Sequence, residues 1–235
     1  MSYRYVGSEL ERFSAATNWK TYVASVLSHF IGGRVLEVGA GIGSNIAYLH
    51  TAPIREWTSL EPDGDFAARI EERIAAGELP PTCRVIAGTI ERINEAAQFD
   101  TILYIDVLEH IAEDAAELVR ASRHLSAGGN LIVLAPAHQF LFSPFDTAIG
   151  HHRRYNRKSL RALTPPGCRL DTCLMLDCAG FFASLANAIL LSNAFPSKRQ
   201  IAVWDRLLVP ISRAFDRRIG HRLGKTVVAV WHLST

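Results

Sequence analysis

Two short stretches of this 235-residue chain concentrate the residue types that bind or transform ligands. The first is Glu37-Val38-Gly39-Ala40-Gly41-Ile42-Gly43-Ser44. Glycine permits positive φ and lets a ligand approach the main chain. A helix opening just after such a loop offers unpaired N–H groups and a positive dipole end. Two cofactor classes use that geometry. The dinucleotide fingerprint places glycines first, third and sixth. Counted from Gly39, the sixth residue is Ser44 and a glycine stands fifth instead, at Gly43, so the spacing departs from that fingerprint. The second stretch is His151-His152-Arg153-Arg154-Tyr155. Histidine titrates near working pH and can act as a base. Arginine grips a carboxylate or phosphate with paired bonds. The competing reading leaves Arg153 and Arg154 facing solvent, with Tyr155 packing a lid.

The order of the elements shows how these stretches come together. Phe13, Trp19, Tyr22, Val23, Val26, Leu27 and Phe30 recur at helical spacing and end at Gly32-Gly33. Arg34–Val38 reads as a buried strand, followed by the glycine loop and a helix to Leu49. Further strands are expected at 57–61, 83–87, 99–106 and 130–135, with helices at 66–76 and 112–125 between them. Alternating strands and helices imply an α/β fold, a doubly wound and mainly parallel sheet with helices on both faces. Right-handed crossovers then bring the strand C-terminal ends to one ligand-binding edge. Residues 138–155 form a long irregular segment, the usual form of a binding loop or lid. A helix at 158–163, a strand at 168–176, helices at 181–191 and 201–215 and a strand at 226–231 complete one domain over 1–235. It divides into a helical cap (1–33), a cofactor core (34–136) and an acceptor-side lid with C-terminal decorations (137–235).

The core resembles the class I S-adenosylmethionine-dependent methyltransferases, in particular bacterial enzymes acting on small molecules. Glu37–Gly43 resembles their first motif. Glu61 ends the second strand as their ribose-binding acid does. Asp106-Val107-Leu108-Glu109-His110-Ile111 follows strand four, and Gly128-Gly129 precedes strand five. The resemblance implies S-adenosylmethionine as cofactor. Glu61, with Pro62 beside it, would accept the ribose hydroxyls, since a carboxylate offers two oxygens to a diol. Gly39, Ala40, Gly41 and Gly43 would line the methionyl part, and Asp106 and Val107 would complete its pocket. Glu37 would face the cofactor's ammonium group, or else anchor the loop. The family often has an adenine-binding acid after strand three. Here Thr89 and Ile90 stand in that segment, the first to accept a hydrogen bond and the second to pack on the ring.

His151, His152 and His110 are the candidate bases, although His110 suits a helix cap equally well. Arg153, Arg154 and Tyr155 are the candidate acceptor contacts; they resemble a His-x-Arg-Arg-Tyr stretch of bacterial relatives that methylate small metabolites or sugar-derived compounds. Trp19 either covers the pocket or packs in the core. No metal is expected, because strand five ends in Ala135-Pro136 and not in the carboxylates a magnesium-dependent relative would place there. The expected reaction is O-methylation of a small-molecule acceptor, an anionic one if Arg153 and Arg154 bind it. N-methylation, a lipid-linked sugar acceptor and a non-catalytic cofactor sensor are the alternatives.

Composition sets outer limits. The net charge of +2 gives no electrostatic case for nucleic acid, and no Asn/Asp-Pro-Pro-Tyr segment follows strand four. Hydrophobic residues make up 49% and charged residues 20%, a globular balance. Met1–Leu10 shows no apolar leader core. Cys83, Cys168, Cys173 and Cys178 fit neither a metal nor a redox spacing, and together with the missing leader they suggest a cytoplasmic protein. Cys178–Leu191 is too short to span a bilayer and reads as a core helix. Peripheral membrane contact would fall to the run Ile201–Arg213, where apolar residues alternate with arginine, unless that helix only packs on the sheet. A monomer or homodimer is expected.

Overall fold

The structure, a computed structural model, describes residues 9–50, 53–190 and 197–234. Residues 1–8 of the stretch searched for a leader, and the expected helix end at Leu191, lie outside them. Seven strands form one sheet: β1 (Gly33–Val38), β2 (Ile54–Glu61), β3 (Cys83–Ala87), β4 (Phe99–Ile105), β5 (Leu125–Pro136), β6 (Cys168–Leu176) and β7 (Thr226–Leu233). Their order is β3-β2-β1-β4-β5-β7-β6. The first five pair in parallel, and β7 runs antiparallel between β5 and β6. One consequence matters for function: the start of β7 lies at the same edge as the C-terminal ends of the other strands.

The central strands are apolar on both faces, as a sheet covered by helices on both sides requires. Successive residues alternate between two cores. Val35, Leu103, Ile132 and Val228 belong to one; Leu36, Tyr104, Val133 and Ala229 belong to the other. The helices are α1 (Glu9–Ser14), α2 (Thr17–Leu27), α3 (Ile46–Leu49), α4 (Gly64–Ala75), α5 (Asp114–Arg123), α6 (Pro144–Ala148), α7 (Arg157–Ala162), α8 (Cys178–Leu190), α9 (Lys198–Val203) and α10 (Val209–Arg218). A π-helical turn at Trp204–Leu208 joins α9 to α10.

Three buried acids bind the C-terminal helices to the rest. Asp205 accepts from the backbone N–H groups of Asn18 and Trp19 at the start of α2. Asp216 takes the Tyr22 hydroxyl at 2.8 Å and the Asp177 amide at 2.7 Å. Asp177 takes the Trp204 indole N–H at 2.7 Å and the Ser212 hydroxyl at 2.6 Å.

The structure departs from the sequence expectations in specific places. No helix opens directly after the glycine loop; turns precede α3 because Gly41 and Gly43 hold φ of 56° and 69°, outside the right-handed helix. The fifth strand begins at Leu125, with Gly128 at φ 76° inside it and not in a turn before it. The irregular segment 138–155 contains a 3₁₀ turn at Gln139–Leu141 and helix α6. Helix α8 is not enclosed in the core, since Phe182 is 59% exposed. Among the described residues no helix is long and apolar enough to cross a membrane.

Candidate active site

The glycine loop leaves β1 and is fixed from three sides. Gly39, Gly41 and Gly43 all have positive φ. Gly39 is also required by space: a Cβ there would lie 2.5 Å from a methyl of Val107 on the neighbouring β4 loop. Arg73 reaches from α4 and donates to the carbonyl of Ile42 at 2.8 Å. Glu61, at the end of β2, accepts from the Gly41 amide at 2.6 Å and the Asp63 amide at 2.9 Å. Asp63 in turn caps α4. Glu37, at the end of β1, is 1% exposed and accepts from Asn45 Nδ2 at 2.9 Å and Trp57 Nε1 at 3.2 Å. Burial lifts both the Glu37 and the Glu61 carboxyl to about 7 against these hydrogen bonds. Two carboxylates with unused lone pairs beside a backbone cradle suit a ligand carrying an ammonium group and a diol.

Gly39→Ala should therefore abolish detectable cofactor binding while the sheet persists. Calorimetry with S-adenosylmethionine, with circular dichroism as the fold control, checks it; normal affinity would mean that Val107 yields and the cradle is misplaced.

The second half of the site lies beyond β4 and β5. Asp106, His138 and Asp177 immediately follow or lie just past the ends of β4, β5 and β6, and each has positive φ, of 53°, 67° and 68°. Non-glycine residues in this region are strained by about 1–3 kcal/mol each, and such strain collects at functional edges. Glu109 and His110 lie on a 3₁₀ turn after Asp106, and the chain returns as His151-His152 against it. The His110 and His151 rings meet edge to face at 4.5 Å. His151 Nδ1 stands 2.9 Å from Asp146 Oδ1, and its Nε2 lies 3.7 Å from Glu109 Oε1. The His152 side chain is exposed while its amide donates to the Glu109 carbonyl.

Arg153 and Arg154 both have internal partners. Arg154 forks onto Asp146 with two bonds of 2.8 Å. Arg153 pairs with Asp114 at 2.6 Å and donates to the Ala112 carbonyl. Tyr155 is 2% exposed and donates to Asp114 at 2.8 Å. Asp106 is exposed as a residue, but the packed groups around its carboxyl desolvate it and lift it to about 6 against the charges of His151 and Lys225. Burial drives the Glu109 carboxyl well upward, with the Asp106 charge adding to it. Burial lowers His110 to about 4, and the neighbouring His151 adds to the fall.

Some candidate residues stand apart from these two groups. Trp19 packs on Trp204 at 5.6 Å and on Tyr22 at 6.1 Å between ring centres. Ile90 is 2% exposed and joins the core beneath β4, and Thr89 is exposed with its hydroxyl on Glu91. The structure also adds residues that the sequence reading did not name. Asp146 and Asp114 organise the His-Arg-Arg-Tyr stretch. Lys225, just before β7, reaches Asp177 at 3.6 Å and lies over the Trp204 ring at 3.9 Å. An acid eight residues before an arginine carries no periodic signal, and Lys225 reaches this edge only because β7 is antiparallel.

Residues 36–131 match a family model described as a methyltransferase domain. They run from the middle of β1 into β5 and so contain the loop, Glu61, Asp106 and Glu109. Solved structures share the wider fold. An enzyme assigned as a sarcosine dimethylglycine methyltransferase from Galdieria sulphuraria is 16% identical over 93% of this chain and 84% of its own, with a TM-score of 0.61. Coclaurine N-methyltransferase, solved with N-methylheliamine and SAH, is 13% identical over 90% of this chain and 71% of its own, at 0.62. The [4+2]-cyclase SpnF is 15% identical over 93% and 81%, also at 0.62. At these identities the likeness speaks for the fold. No curated protein matches the chain by sequence. The Glu37–Gly43 cradle with Glu61 presents a backbone amide at Gly41 and two buried carboxylates at one edge of that shared fold.

Proposed function

We propose that the chain transfers a methyl group to a hydroxyl of a small molecule. The observation that carries this reading is the cluster of Glu109, His110 and His151 placed beside Asp106 at the end of β4, where a class I sheet presents its acceptor. S-adenosylmethionine supplies a methyl group already activated on a sulfonium. The chain's residues must therefore bind, orient and handle one proton. Glu61 takes the ribose diol, Glu37 the ammonium side, and the backbone of Gly39, Ala40 and Gly41 the methionyl part, with Gly43 and Pro62 shaping the ends of the cradle. Val107 closes the loop side, and the core position of Ile90 and the outward one of Thr89 leave the adenine contact to other residues. A hydroxyl acceptor needs its proton removed or its acidity raised. The His151–Glu109–His110 cluster is where that happens, and Asp146 holds His151 in place for it.

Arg153, Arg154 and Tyr155 act in this reading by positioning the acceptor loop. Their groups already serve Asp114 and Asp146, and the acids nearest the cluster are Asp106 and Glu109. A neutral or cationic acceptor fits that field better than the anionic one suggested by the arginines in the sequence. The test is turnover of methyl-labelled S-adenosylmethionine against a panel of hydroxylated and amine metabolites. Label in an alcohol-derived ether supports the proposal. Label only in amines overturns the oxygen assignment, and cofactor binding without any transfer leaves a sensor.

One surface favours an acceptor held at a membrane. Val203, Leu207, Ile211 and Phe215 recur every fourth residue along α9–α10 and are 47–60% exposed. Lys198, Arg199, Arg206, Arg213, Arg217 and Arg218 surround them, while the two acids of this stretch, Asp205 and Asp216, are buried. An apolar stripe flanked by cations suits an anionic lipid interface. Co-sedimentation with phosphatidylglycerol vesicles should occur at low salt, weaken with salt, and fall about tenfold or more in Leu207→Asp/Phe215→Asp. Absence of wild-type sedimentation removes the lipid reading and leaves the methyltransferase one intact.

A further inference from the structure

We propose that Glu109, His110 and His151 bind a divalent first-row transition-metal ion, which activates the acceptor hydroxyl. This rests on the O-methyltransfer reading and supplies its missing step. Each of the three residues offers one ligand atom, and these atoms all lie within 4.8 Å of one another. Ligand atoms bonded to one such ion at about 2.0–2.2 Å stand about 3–4 Å apart, so the cluster needs to close by no more than about 1–2 Å to hold one.

Glu109 makes the strongest case. It is 1% exposed, and neither carboxylate oxygen has a hydrogen-bond partner among the described residues. A buried carboxylate left unpaired is costly unless something cationic completes it. The buried acids Asp146 and Asp177 nearby are partnered, Asp146 by His151, Arg154 and Ser143, and Asp177 by Trp204 and Ser212. Among the described residues no lysine or arginine pairs with Glu109, and the nearest basic group is His151 Nε2 at 3.7 Å.

The surroundings of His151 also have the form of a metal site. Its Nδ1 is held by Asp146, which fixes the ring and leaves Nε2 turned toward Glu109. A ligating histidine characteristically fixes its other nitrogen on a carboxylate in this way. Two imidazoles and one carboxylate select a transition ion over magnesium and leave coordination positions open on one side. An acceptor hydroxyl taking one of those positions becomes more acidic. Its proton leaves to water, its oxygen bonds to the methyl carbon, and the carbon–sulfur bond breaks with its electron pair remaining on sulfur. Nothing is oxidised or reduced. The sequence reading expected no metal because it looked for carboxylates at the end of β5. The cluster instead joins the loop after β4 to the chain returning after α6.

The experiment titrates Co²⁺ into metal-stripped full-length protein, following visible absorption and, after dialysis, bound metal by mass spectrometry. Zn²⁺ and Mn²⁺ are titrated in parallel. About one equivalent should bind. Glu109→Gln and His151→Gln should each weaken binding at least tenfold, and Asp146→Asn by about 10–100-fold. His110→Asn, at a position less buried than Glu109 or Asp146, is the variant to rely on if another fails to fold, as judged by circular dichroism. No Co²⁺, Zn²⁺ or Mn²⁺ binding by the wild-type protein overturns the proposal, and so does wild-type affinity in the folded variants. S-adenosylmethionine affinity measured on the same samples separates the two readings: cofactor binding without metal defeats the metal site alone, and loss of both defeats the methyltransferase assignment of the site.

Discussion

Asp146→Asn should be the most destabilising single change in the acceptor half of the molecule, costing about 3–5 kcal/mol, the usual result of breaking a buried ion pair from one side. Asp146 is fully buried and receives five bonds: two from Arg154, one from His151, and one each from the amide and hydroxyl of Ser143. The amide of asparagine can accept on one side only, so the guanidinium of Arg154, 15% exposed, would lose half its fork. The hydrogen bonds from His151 and Arg154 hold the Asp146 carboxyl well below its ordinary range despite burial. A depressed folded pKa gives stability that is present above the unfolded value near 4 and is lost as pH falls through the folded one. Denaturant unfolding at pH 7 and at pH 3 checks both parts. The variant should be weaker at pH 7, and the gap to wild type should narrow at pH 3. A loss below about 1 kcal/mol at pH 7 would show that Asp146 does not organise this loop.

The same residue shows where sequence reading stops. Residues 138–155 have no sustained period, so their polar side chains look like a solvated loop with chemistry on it. Folding turns that surface inward. Asp146 enters through the short α6, His151 and Arg154 come back along Glu109, and Tyr155 pairs with Pro136 at the base. The arginines that suggested an anionic acceptor turn out to have acids of their own chain as partners. Distances of eight residues (Asp146 to Arg154) or forty-one (Asp114 to Tyr155) leave no mark that a periodicity argument can detect.

The cofactor half was far more legible, and for a physical reason. Its parts are short-range: a buried strand, glycines where the backbone must turn left-handed, and an acid at the strand end. Alternation of Val35-Leu36 and Leu103-Tyr104 between two cores follows from a sheet covered on both faces. What the pattern missed was local. It opened a helix directly after the glycine loop, where turns come first because Gly41 and Gly43 hold positive φ, and it placed Gly128 before β5 where the strand already runs. In both cases a glycine's backbone state, and not its neighbours' hydrophobicity, decides the structure.

Glu61→Ala should weaken S-adenosylmethionine binding by about 2 kcal/mol or more, roughly 30-fold, as expected when a charged hydrogen-bond partner is removed. The loss has two sources. Glu61 is the proposed ribose acceptor, and it is also the observed anchor of the Gly41 amide at 2.6 Å, so the cradle loosens as its ligand contact disappears. Glu61→Gln separates them, because the amide oxygen can still accept from Gly41 while the charge is gone. The charge has its own signature. Burial lifts both Glu61 and Glu37 to about 7. Raised folded values mean that their contribution to stability is present below about 4.5 and is lost as pH rises through 7, where two buried carboxylates must ionise. A ligand that brings an ammonium group and a diol favours the ionised forms. Cofactor affinity should therefore rise between pH 6 and pH 8, and binding near pH 7 should release protons. Calorimetry in two buffers of different ionisation enthalpy measures that release. Glu61→Gln should lower the release and flatten the rise. Affinity that is independent of pH, with no protons released, would show that neither carboxyl changes ionisation on binding and would move the ammonium contact away from Glu37.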